Sequence, residues 1–236
     1  MPEKTAVARS ALIGTADATR VVDGWEVAAG AAEGEVAVAD LCALAKVLVR
    51  APWADEIDQA LGARFGRATW DGPRLVIGAA PGEWLALGPV GSAPATVEHY
   101  RSLLAGVTDG LTTVMDLTHG RALLRVSGPA TLSLLRRLTA VDLDDRFVPP
   151  GAALRTSVAR VVTDVVRDDK AGGPSYLLHC ERSSGRYLVD SLLAAGSELG
   201  ARLVAGAPPW PDHPAEKPTT HPTQATQRRE EQAHEI

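Results

Sequence analysis

Cysteine is scarce: the 236 residues hold only Cys42 and Cys180, far apart and in no metal or redox spacing. This excludes a disulfide framework and leaves two buried thiols of a reducing compartment as the expectation. Neither cysteine has a His–Asp constellation beside it in the sequence that would make it a nucleophile. Net positive charge is also absent. The chain carries a net charge of −5, and no basic stripe interleaved with aromatics appears, so nucleic acid is excluded as the main partner. No apolar run approaches the roughly 20 residues that cross a bilayer. The opening MPEKTAVARSALIG has no hydrophobic stretch of signal-peptide length. A cytoplasmic chain without membrane contact is therefore expected. A glycine-rich phosphate loop and a dinucleotide fingerprint are missing too.

What remains is ordinary globular material, 45% hydrophobic and 22% charged, long enough for a full core. Residues 1–20 read as an extended N-terminal arm, 21–210 as one domain, and 211–236 as a disordered tail. The tail is rich in Pro, Thr, Gln and mixed charge and buries too little apolar surface to offset ordering. Trp210 is a candidate anchor at its start. His213, His221 and His234 lie in it without ligand spacing. Inside the domain two segments repeat, VADLCALAKVLVRAP from Val38 and VMDLTHGRALLRVSGP from Val114. Each has a hydrophobic-x-Asp-Leu step, an apolar strand-like run (40–50 and 116–126), and a Pro before a helix (54–62 and 130–139). Strand patterns follow at 74–77 and 83–87 in the first half and at 157–166 and 176–180 in the second. A helix closes each half, at 95–104 and 184–199. The fold class is thus α+β: a tandem repeat of two strand-helix-strand-strand-helix units spanning about 36–106 and 112–200.

Few residues offer chemistry. Asp116, His119 and Arg121 stand together; a His oriented by an Asp can act as a base or bind an anion. The repeat speaks for another reading, because the first copy keeps the Asp as Asp40 and has Ala43 in place of His119. Both Asp residues then bond backbone N–H groups at strand ends, and the trio serves as a polar contact at a subunit interface. Ser127-Gly128-Pro129 reads as a turn whose Ser helps cap a helix. Asp142, Asp144 and Asp145, and likewise Asp164, Asp168 and Asp169, read as solvated turns without a metal loop's spacing. Trp84 and Tyr176 occupy matching places in the halves, as core residues or as an aromatic clamp, with the core favoured. No catalytic, cofactor-binding or metal-binding residue is assigned.

The stretch DLTHGRALLRVSGPATLSLLRRLTAVDL, with PGEWLALGP, FVPPGAALRTSVARV and YLLHCERSSGRYLVDSLLAAGSELG, resembles the γ subunits of heterotetrameric sarcosine oxidases. More distantly it resembles the folate-binding region of glycine-cleavage aminomethyltransferases. The likeness covers residues 36–200. It implies the folate-binding-domain fold and a non-catalytic chain held among partners: a large α subunit, a flavin-carrying β subunit and a small zinc-binding δ subunit. It further implies oxidative demethylation of sarcosine or a related N-methyl amine, with methylene transfer to tetrahydrofolate in the α subunit. FAD, FMN, NAD and tetrahydrofolate would then reside in the partners and none on this chain. The chain lacks the aminomethyltransferases' C-terminal barrel and the Lys-Gly-Cys-Tyr type segment of folate-binding repair proteins. A stand-alone folate-dependent transferase or repair protein is accordingly the alternative.

Overall fold

The computed structural model describes residues 6–31, 34–170 and 173–206; the segment read as a disordered tail, with Trp210 and the three tail histidines, lies outside them. In chain order the described strands are β1 (Ala8–Arg9), β2 (Thr19–Val22), β3 (Trp25–Ala28), β4 (Ala37–Asp40), β5 (Ala45–Arg50), β6 (Ala68–Asp71), β7 (Arg74–Ala80), β8 (Glu83–Gly88), β9 (Thr113–Asp116), β10 (Arg121–Ser127), β11 (Ala153–Val158), β12 (Val161–Arg167), β13 (Ser175–Glu181) and β14 (Arg202–Ala205). The helices are α1 (Asp55–Leu61) after β5, α2 (Ala93–Leu103) after β8, α3 (Thr131–Leu135) after β10 and α4 (Arg182–Ala195) after β13.

The repeat is present but richer than the pattern suggested. Each half runs strand, strand, helix, three strands, helix. Segment 40–50, expected as one strand, breaks at Leu41–Leu44, and 116–126 breaks at the matching Leu117–Gly120. The cause is the same in both copies. Asp40 Oδ1 accepts from the Cys42 N–H at 3.0 Å and Asp116 Oδ1 from the Thr118 N–H at 2.8 Å, so each carboxylate closes a turn on its own backbone. Segment 157–166 breaks as well, because Ala159 and Arg160 take positive φ (49° and 67°) and form a two-residue hairpin turn.

The first strand of each half then joins the other half's sheet. A six-stranded sheet runs β11-β12-β13-β10-β4-β14 and a five-stranded sheet β6-β7-β8-β5-β9. The two sheets pack face to face, and the interlayer core holds Leu75, Ile77, Leu85 and Leu87 from one and Leu123, Val166 and Leu177 from the other. Outside the six-stranded sheet, α3 and α4 bury Leu134, Leu135, Leu188 and Leu192 against Leu124, Val126 and Leu178. Outside the five-stranded sheet, α2 and α1 bury Tyr100 and Leu61 against Val47, Val49 and Trp84. The order of layers is helix, sheet, sheet, helix, so strands of both sheets are covered on both faces. That is why they read as unbroken apolar runs rather than alternating ones.

Two local expectations change, at Ser127 and in the N-terminal arm, and the favoured core placement of Trp84 and Tyr176 holds. The Ser127 hydroxyl does not cap α3, whose N-cap is Ala130 without a side-chain cap bond. The turn instead depends on Gly128, at φ +117°, where a Cβ would sit 2.3 Å from the Glu35 carbonyl oxygen. Trp84 and Tyr176 are core residues at 1% and 0% exposure, which leaves no open face for a clamp. The N-terminal arm is no free arm over its described part: β1 pairs parallel with β3, and Leu12 is fully buried in the core beneath α4. In this Ala-rich segment the larger apolar residues, Val7, Leu12 and Ile13, fall at no helical or strand period that would announce this. Leu12→Ala should cost about 2–5 kcal/mol through lost transfer energy and the cavity left behind. Urea denaturation checks it, and a loss under about 0.5 kcal/mol, typical of surface sites, would mean the segment is loosely held.

Candidate functional site

At one end the gap between the two sheets is not filled by leucines. The registers show how the lining is graded, since residues paired across a ladder share a face. On the six-stranded sheet the row Leu177–Val166–Ala153 belongs to the interlayer core. The next row is His179–Asp164–Arg155, and the rim row is Arg121–Glu181. On the five-stranded sheet Leu85 pairs with Ile77 and Leu48, and the next row outward is Glu83–Arg50. These residues, with Leu117, Ala79 and Val162, enclose a cavity of about 300 Å³ that opens at this end.

The polar groups form one continuous chain of bonds. Arg50 donates Nε and Nη2 to Glu83 Oε2 at 3.0 and 2.8 Å, and Arg155 donates Nη2 to Glu83 Oε1 at 2.8 Å. Glu83 lies on β8 and Arg155 on β11, so this carboxylate ties one sheet to the other. Arg155 Nε donates to Asp164 Oδ1 at 2.6 Å, and Asp164 Oδ2 meets His179 Nδ1 at 3.1 Å and Arg121 Nη2 at 3.3 Å. Arg121 also donates Nε toward His179 Nε2 at 3.3 Å and pairs with Glu181. The neutral imidazole tautomer that satisfies these contacts carries its proton on Nδ1.

Burial and pairing set the titration of the group. Burial, reinforced by the Arg121 charge, pushes His179 down to about 4 against the pull of Asp164. Burial alone would raise Asp164, but the bonds from His179 and Arg155 hold it at about 2. Burial would likewise raise Glu83, but the bonds from Arg155 and Arg50 outweigh it and hold the carboxyl below its usual range. Deeper on the same face of β5, Lys46 is fully buried and donates Nζ to the Cys42 and Leu44 carbonyls at 2.8 and 2.6 Å, inside the first Asp turn. Burial brings it down to about 8. The thiols go the other way: burial raises Cys42 to about 11 and Cys180 to about 12, which makes both poor nucleophiles. Among the described residues no three His, Cys, Asp or Glu side chains converge as a metal site.

The trio read from the sequence is divided. Arg121 reaches the cavity. Asp116 is committed to its turn, and His119 is exposed and stacks on Trp25 with ring centroids 4.6 Å apart. The acids read as solvated turns also divide. Asp164 sits in mid-strand at 5% exposure as the centre of the network, Asp168 pairs with Arg125, and Asp145 and Asp169 pair with the buried Arg167. Asp142 and Asp144 do cap turns, each accepting from the backbone N–H two residues on. His179, Arg155, Glu83 and Lys46 carry no motif in the sequence, and Asp164 reads there only as a turn residue; the sole local signal is a charged or imidazole side chain inside a strand otherwise apolar on both faces.

This helix–sheet–sheet–helix arrangement is the folate-binding-domain fold of the aminomethyltransferases. The glycine cleavage system aminomethyltransferase T from Bartonella henselae matches it with a TM-score of 0.62 over 79% of this chain and 55% of that one, at 14% identity. A chain of the heterotetrameric sarcosine oxidase from Corynebacterium sp. U-96 matches with a TM-score of 0.60 over 74% of this chain and 90% of that one, at 24% identity. In sequence the chain is similar to sarcosine oxidase subunit gamma from Corynebacterium sp. (strain P-1), 30% identical over 125 residues. That match covers 53% of this chain and 58% of the relative, under two thirds of its length. No protein-family model matches the chain.

The depressed His179 gives a signed pH dependence. The unfolded chain takes up the imidazole proton near 6.5 and the folded chain only near 4, so stability falls as pH drops through that window. The loss between pH 7 and 5 should be about 2 kcal/mol. Asp164 and Lys46, which act on the ring, titrate outside this window at about 2 and about 8. His179→Gln should flatten the slope, read from guanidinium midpoints at the two pH values; an unchanged slope would place the titration elsewhere.

Proposed function

We propose that this chain is a non-catalytic γ-type subunit of a heterotetrameric sarcosine-oxidase-like flavoenzyme. The observation that carries the reading is the 30% identity to a sarcosine oxidase γ subunit, joined to the same fold in a sarcosine oxidase chain. Its work is structural: it presents a surface to a large α subunit. The flavin chemistry and the methylene transfer from sarcosine, or another N-methyl amine, to tetrahydrofolate take place in the α and β chains, which also hold FAD, FMN and NAD. A small zinc-binding δ chain completes the set. The bonding pattern of the cavity supports a non-catalytic role, because its imidazole is buried, neutral and bonded at both nitrogens, and each acid faces a guanidinium. Asp116, His119 and Arg121 surround the second Asp turn, and the exposed members of that trio belong to the subunit contact.

Tagged in its host and recovered gently, the chain should come with larger subunits and a visible flavin spectrum, and the material should oxidise sarcosine or a related N-methyl amine. A colourless chain recovered alone that binds tetrahydrofolate in calorimetry would replace this reading with the stand-alone folate protein.

A further inference from the structure

We infer that the mouth of the intersheet cavity binds a small organic monocarboxylate between Arg50 and Arg155. The inference does not depend on the subunit reading. Glu83 is its pivot. One guanidinium sits on each of its two oxygens, and Arg155 is fixed a second time by Asp164. Both forks are therefore held in place before any ligand arrives, which lowers the ordering cost of binding. Arg50 bonds through Nε and Nη2 and Arg155 likewise, so among the described residues each retains an Nη1 without an acceptor.

Exposure decides which charge a ligand meets. The anchoring acids are inside, with side chains 15% (Glu83) and 7% (Asp164) exposed, whereas Arg50 and Arg155 are 61% and 38% exposed. The approach side is thus lined by guanidinium N–H groups, and a carboxylate set between them makes charge-assisted bonds to both. Charge also fixes the valence. Glu83 and Asp164 already face the two guanidiniums, so a ligand brings charge beyond balance: a single negative charge can be shared between both forks, whereas a dianion would overshoot. Glu181, 67% exposed on the opposite rim, repels a second acidic group there. The walls beyond the guanidinium pair are Leu48, Leu117 and Val162, which suit an apolar body rather than an inorganic anion. A volume of about 300 Å³ admits a metabolite of modest size.

The test is isothermal calorimetry on the intact chain with benzoate, with benzamide as the uncharged isostere and with inorganic phosphate. The expected result is saturable one-to-one binding of benzoate and none of the other two. Arg50→Gln, at a largely exposed position, should weaken benzoate at least about tenfold. In the unmodified protein, the Nε–H resonances of Arg50 and Arg155 should shift on benzoate titration, a readout that requires no variant to fold. Equal binding of benzamide, unmoved arginine resonances, or no saturable benzoate binding up to about 10 mM would overturn the inference.

Discussion

Burial of the central strands on both faces is the constraint from which the rest of the molecule follows. Each sheet has helices behind it and the other sheet in front, so no face of β5, β8, β10 or β13 is free to be polar by default. Any charged side chain there has to find partners inside the protein, because an unpaired buried charge is far costlier than a paired one. Lys46 answers this with two backbone carbonyls and a lowered pKa. His179 answers it by remaining neutral, and Asp164 by accepting bonds from three directions. Polarity increases row by row toward the open end of the sandwich. The cavity is the place where the apolar filling stops and paired charges take over.

The same constraint explains what could be read in advance. The duplication was legible because the Asp-Leu step and the following helix carry local signals, a carboxylate beside backbone N–H groups and a helical apolar period. The division of 40–50 and 116–126 into two strands each was not, since a run apolar on both faces has no alternation to interrupt. The hairpin at Ala159–Arg160 was equally silent; a two-residue turn with positive φ is normally announced by Gly or Asn. The cavity was the least legible feature. Its groups come from β5, β8, β10, β11, β12 and β13, and the sole bonded pair close in sequence is Arg155 and Asp164, nine residues apart across that unannounced hairpin. Arg121 was found through its neighbours Asp116 and His119, yet it works with neither.

The fold and the bonding pattern together describe a cavity whose acids and imidazole are paired with arginines, one of which, Arg155, reaches across to the other sheet through Glu83. An imidazole fixed between a carboxylate and a guanidinium is poorly placed to exchange protons with a substrate, and the two thiols are insulated. What the cavity offers outward is the solvent side of its arginines, which suits recognition better than chemistry. This supports the subunit role proposed above.

The exchange of first strands between the halves has a consequence for how the protein comes to exist. β4 completes a sheet whose centre, β10 and β13, lies about 80 to 140 residues further along the chain, while β9 reaches back to β5. Neither half can close its own sheet, so an emerging N-terminal half displays the vacant side of β5 until β9 is synthesised. High contact order slows folding, and an unfilled strand position invites pairing with another molecule. The duplication that looks like two modules in the sequence is, kinetically, one unit that folds late and all at once.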